Sequence, residues 1–112
     1  MVATTGARYT RAPTDVGAAY RSIPLLHVDD LHGVVPFDCV PIAVDLIAGA
    51  KSLPTFRHPR SAFYVFGPED GTLGREILSW CRDVVMIPTN GCLNLAAAVN
   101  VVLYDRAAKA AA

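Results

Sequence analysis

Ala62-Phe63-Tyr64-Val65-Phe66-Gly67-Pro68-Glu69-Asp70-Gly71-Thr72-Leu73-Gly74 runs from five apolar residues into a glycine-rich turn. A short run that is apolar on both faces reads as a parallel strand covered by helices on each side. The glycines let the backbone approach a ligand closely. Thr72, with Gly71 before it, reads as the N-cap of a helix over 73–81. The same order of strand, turn and helix recurs at once. A strand over 84–87 leads into Ile87-Pro88-Thr89-Asn90-Gly91-Cys92-Leu93-Asn94-Leu95, and a helix over 93–109 follows. That helix carries Ala96, Ala97, Ala98, Val99, Val101, Val102, Leu103 and Tyr104, apolar nearly all round until Asp105. Such a helix is buried on most sides, inside the domain and against a partner.

Outward from these stretches, strands are expected over 2–5, 25–28 and 39–46, the last holding Val40-Pro41-Ile42-Ala43-Val44. Thr14 or Asp15 opens a short helix through Tyr20, and Asp29-Asp30 opens a single turn that Gly33 ends. The segment 48–59, with Gly49, Pro54 and Pro59, crosses the sheet without a full helix. Alternating strands and helices give one α/β domain over 1–112 with a mainly parallel sheet and flanking helices.

Hydrophobic residues make up 53% of the 112-residue chain and charged residues 18%. A chain this short cannot hide so much apolar surface alone, which points to a homo-oligomer. Lys+Arg and Asp+Glu are equal at 10 each, so the basic excess of a dedicated nucleic-acid binder is missing. RNA binding must then use a local cluster or a dimer groove. The cysteines Cys39, Cys81 and Cys92 are widely spaced, which suggests reduced thiols in a reducing, cytoplasmic compartment. His27, His32 and His58 have no metal-ligand spacing, so no metal is expected. No signal peptide and no membrane span is read.

The two loops carry the chemistry. Each follows a strand and precedes a helix, where α/β sheets hold ligands and where free amides meet polar groups. On spacing alone, an ordinary glycine-rich turn with a solvated Glu69 outweighs a ligand site. Capping of the last helix by Asn90, Cys92 or Asn94 likewise outweighs catalysis. The two loops are expected to meet as one pocket after two neighbouring parallel strands.

Taken together, the pattern strand, G-P-E-x-G-x-L-G, helix, strand, I-P-x-x-x-C-L-N-L-A, apolar helix, Y-D resembles a known family. It is similar to the C-terminal half of SpoU/TrmH-type RNA 2′-O-ribose methyltransferases of the SPOUT superfamily, over roughly Ser61 to Arg106. Ile42-Ala43-Val44-Asp45-Leu46 and Leu53-Pro54-Thr55-Phe56-Arg57-His58-Pro59 resemble a bacterial subgroup. The resemblance implies a C-terminal trefoil knot, a topology that is rare in general. It implies a homodimer through the last helix, S-adenosyl-L-methionine as cofactor, and tRNA or rRNA as substrate. Carried over by position, cofactor contacts fall on Val44, Asp45 and Leu46, on Gly67 and Pro68, and on Ile87, Pro88, Cys92 and Leu95. Glu69 and Asn94 match polar positions at the reacting centre and are the candidate catalytic residues.

The family begins with a strand and helix carrying an Asn and an Arg, and no N-x-G…R motif precedes Val2. The expectation is an N-terminally shortened domain, a start further upstream, or a partner that supplies the unit. Cys92 stands where many members have Ser, and it reads as a buried structural cysteine. Arg8 and Arg11 with Tyr9, and Arg57 and Arg60 with His58, are the clusters that phosphates would choose, although for any single one of them a solvated surface outweighs that reading. Three functions compete: a dimeric RNA 2′-O-methyltransferase, a catalytically impaired remnant that still binds cofactor or RNA, and a dimerisation module with neither ligand.

Overall fold

The computed structural model describes residues 2–4, 25–68, 72–91 and 93–111. The chain divides into two compact units, Met1–Val35 and Pro36–Ala112. In the first, β1 (Val2–Thr4) and β2 (Leu25–His27) pair in parallel, with Val2 opposite Leu25. A 3₁₀ turn follows at His32–Val34. Asp30 opens it, its Oδ1 accepting the His32 N–H at 3.1 Å. The short helix expected from Thr14 or Asp15 falls outside the described residues.

The second unit is an α/β sheet with helices. Its strands are β3 (Val40–Val44), β4 (Lys51–Ser52), β5 (Ala62–Phe66) and β6 (Asp83–Met86). Its helices are α1 (Arg75–Trp80) and α2 (Leu95–Ala111). The four strands form one parallel sheet in the order β4-β6-β3-β5. β3 is central and pairs with β5 from Val40 opposite Ala62 to Val44 opposite Phe66. Pro41 is tolerated there because its missing donor faces the β6 side, and the β6 pairing begins only at Ile42.

The core lies on one face of this sheet. Ile42, Val44 and Val85 project to it at alternate positions and meet Leu53, Phe56 and Val102. Ile42, Val85 and Val102 are almost completely buried. Ala43 and Val65, one residue out of phase, are buried on the opposite face.

Four differences from the sequence expectation have physical causes. β4 is a two-residue edge strand inside the segment read as a plain crossover, and a 3₁₀ turn at Leu53–Thr55 continues it. α1 begins at Arg75 rather than after Thr72, with Gly74 at its N-cap and no side-chain cap. The Leu73 N–H goes instead to the Asp45 carboxylate, which holds the segment before α1 out of the helix. The two glycine-rich loops do not follow neighbouring strands, because β3 lies between β5 and β6. Finally, α2 buries only Val102 fully within the chain.

Candidate functional site

Three parallel strands end on one side of the sheet, and the segments after them enclose a pocket of about 320 Å³. The end of β3 contributes Val44, Asp45 and Leu46, and the end of β5 contributes Phe66, Gly67, Pro68 and Thr72. The segment after β6 adds Ile87, Thr89, Gly91 and Leu93, and the first turns of α2 close the wall with Leu95 and Ala98. Backbone bonds hold the strand ends in register: the Gly67 N–H meets the Val44 carbonyl at 3.0 Å, and the Asp45 N–H meets the Val85 carbonyl at 3.0 Å. Gly91 bends the third segment with φ 118°, a conformation that side-chain-bearing residues avoid. The Thr89 hydroxyl donates to the Gly91 carbonyl across that bend.

The pocket therefore unites Val44, Asp45, Leu46, Gly67, Pro68, Ile87 and Leu95 of the expected cofactor residues. Pro88 turns away and lines a second groove with Leu53, Pro54, Val101 and Tyr104, to which Ile87 also contributes. Glu69 and Cys92 fall outside the described residues, as do Arg8, Arg11 and Tyr9. Asn94 does not line the pocket, although both its neighbours do. Its side chain caps α2, with Oδ1 accepting the Ala97 N–H at 2.8 Å and its carbonyl accepting the Ala98 N–H at 2.9 Å. Thr72, Thr89, Leu93 and Ala98 also line the pocket and were not among the cofactor contacts expected from sequence; their places beside the two motifs were the available signal.

The basic residues are distributed differently. Arg57 is exposed and groups with Lys51, Arg82 and Asp83 at the start of β6, whereas the pocket lies beyond its end. Arg60 is exposed, and its carbonyl accepts an Arg106 N–H at 2.6 Å. His58 leaves the cluster in which the sequence groups it, because its side chain is only 6% exposed. Its Nε2 meets the Asp105 carboxylate at 2.7 Å and its Nδ1 meets the Tyr64 hydroxyl at 2.7 Å. A carboxylate only accepts, so the partners place a proton on Nε2.

Lys109 and Arg106 complete this network. Lys109 bonds Asp105 and the carbonyls of Leu53 and Phe56, and Arg106 bonds the Tyr64 hydroxyl and the Pro59 carbonyl. Partial burial works against the charged Asp105 carboxylate, but the hydrogen bonds and charges of Lys109 and His58 win, and its pKa is lowered. Burial pushes the Cys81 thiol up, which favours its protonated form.

Among the described residues, no group of three or more His, Cys, Asp or Glu could hold a metal ion. No helix among them is long and apolar enough to cross a membrane. The pocket has the size and lining of a small-molecule site. Its volume is at the low end of the roughly 300–1,000 Å³ usual for small-molecule sites. Val44, Leu46, Ile87, Leu93 and Leu95 offer apolar walls, while Asp45 and Thr89 bring polar groups to the strand ends. A search among curated proteins gives no match. A sequence profile described as the SpoU rRNA Methylase family matches residues 20–104, which takes in every strand end that forms the pocket. That match spans most of the chain, and with an α/β parallel sheet beneath it the chain belongs to the SpoU rRNA Methylase family, whose members are RNA methyltransferases.

Proposed function

We propose that the pocket binds S-adenosyl-L-methionine and that the chain directs methyl transfer to a ribose 2′-oxygen of tRNA or rRNA, in the cytoplasm. The observation that carries this reading is the meeting of Val44–Leu46, Gly67–Pro68, Ile87 and Leu95 around one cavity at the strand ends. The cofactor supplies an electrophilic methyl group on a sulfonium. The protein's part is alignment and exclusion of water. Apolar side chains at positions 44, 46, 87, 93 and 95 form a dry wall for a flat base, and backbone groups of the three segments orient it. The Oδ1 of Asn94 is committed to the helix cap, which leaves its Nδ2 as a donor toward a substrate oxygen beside the pocket. Glu69 is proposed as the second polar group at the reacting centre.

We further propose a homodimer through α2 and a trefoil knot in the second unit. Val101, Leu103 and Tyr104 of α2 are 38%, 49% and 75% exposed, apolar surface that a second copy would cover. The insertion of β6 between β3 and β4, together with the packing of α2 against 53–60, favours the knot.

Calorimetric titration with S-adenosyl-L-methionine should give saturable binding at micromolar to submillimolar concentration. No heat at millimolar cofactor would overturn the pocket assignment. Labelled methyl incorporation into bulk tRNA and rRNA, mapped to the 2′-oxygen by resistance to alkaline cleavage, tests the reaction. Cofactor binding without transfer to any RNA would favour the impaired remnant, which the use of the Asn94 Oδ1 as a cap already makes the second reading.

A further inference from the structure

We propose that the Asp45 carboxylate is a positioning residue that latches the segment after β5 to the end of β3, and that residue 67 is glycine because this carboxylate fills the space of a side chain. This rests on the pocket being the cofactor site, and it goes beyond that reading by giving Asp45 a task other than ligand contact.

The geometry is specific. Asp45 Oδ1 accepts the N–H of Leu46 at 2.9 Å, and Oδ2 accepts the N–H of Leu73, remote in sequence, at 2.7 Å. The same residue's own N–H is bound to the Val85 carbonyl, and the preceding carbonyl, that of Val44, holds the Gly67 N–H. One position thus joins the ends of β3 and β6 to both flanks of the β5 loop. Leu73 is 8% exposed, so the latched segment is also drawn inward by apolar burial. Without Asp45, the Leu73 N–H would lose this acceptor and have no helical carbonyl in its place, because α1 starts only at Arg75.

Gly67 supplies an independent observation. A Cβ there would lie 2.9 Å from both Cγ and Oδ1 of Asp45, closer than real Cβ atoms approach. Its φ is not among the positive values, which among the described residues belong to Gly49 and Gly91, so space rather than backbone conformation calls for glycine. The carboxylate could swing aside only by releasing Leu46 or Leu73. The pocket wall is therefore shaped before any ligand arrives, which lowers the ordering cost of binding.

The test is a double-mutant cycle on the full chain with Asp45→Ala, Gly67→Ala and the pair, and with Asp45→Asn as the shape-preserving variant. Asp45→Ala should speed exchange of the Leu73 amide hydrogen in the ligand-free protein about tenfold or more, and should weaken S-adenosyl-L-methionine binding by a similar factor. Gly67→Ala should weaken binding in the parent but cost nothing further beside Asp45→Ala, since the obstructing carboxylate is gone. Asp45→Asn keeps one acceptor oxygen and should recover part of the loss. If Asp45→Ala fails to fold, the Asn variant carries both measurements. Additive losses in the cycle, or unchanged Leu73 exchange, would overturn the proposal. If the parent binds no cofactor, the pocket assignment fails, while amide exchange and the same cycle read in urea unfolding still decide the latch.

Discussion

Asn94 performs, at the least, the work of a helix cap, and this separates two roles that one residue can hold. Its Oδ1 satisfies the Ala97 N–H at 2.8 Å. Asn94→Ala should cost about 1 kcal/mol in urea unfolding, and Asn94→Ser should keep most of the stability because serine caps equally well. If Asn94 also serves at the reacting centre, the serine variant will melt like the parent yet transfer methyl groups at least about tenfold more slowly. Asp105 gives a pH dependence of known sign. Its carboxyl is held below its usual value, chiefly by Lys109 and then His58 acting against desolvation. The folded state therefore gains from the ionised form above about pH 3.9, and that gain is lost as pH falls through the lowered value. Thermal melts should show a drop in stability in the acid range below pH 4 that is smaller in Asp105→Asn. Part of this was legible in sequence, since capping by Asn94 follows from its place before an apolar helix. The His58 network was not, because the burial of that ring depends on Asp105, which is remote in sequence and invisible to local pattern.

The strands were readable to within a residue or two at each end because each is a short run of branched or aromatic side chains. β4 was not: Lys51-Ser52 has neither length nor alternation, and it is a strand only because Val85 and Met86 lie beside it. The start of α1 was misplaced for a related reason, as the bond from Leu73 to Asp45 overrides the local capping signal at Thr72. α2 is fastened to 53–60 by polar groups as much as by Val102. Arg106 donates to Pro59, Arg60 and Tyr64. Arg106→Ala should cost about 2 kcal/mol in urea unfolding, since the half-buried Pro59 carbonyl and Tyr64 hydroxyl lose a charged donor. Ile42→Ala, at the centre of the sheet and fully buried, should cost about 3 kcal/mol by the same measurement.

At the scale of the molecule, composition announced a surplus of apolar surface but not its location. Among the described residues the structure puts much of it on α2, with Tyr104 75% exposed and Leu103 49%, and some on Phe37 and Leu46 outside it. Replacing Leu103 and Tyr104 by Glu should leave the sheet intact by circular dichroism and shift the sedimenting species to monomer. A parent that already sediments as a monomer would remove the dimer proposal. The order of the strands was the least legible feature, because periodicity describes a strand's faces and not its neighbours. That order has a consequence for synthesis. Among the described residues β4 finds its ladder partner in β6, which emerges from the ribosome well after it. Until residue 86 is made, the nascent chain presents an unpaired β3 edge and a stranded β4, a state open to hairpin mispairing and to chaperone capture.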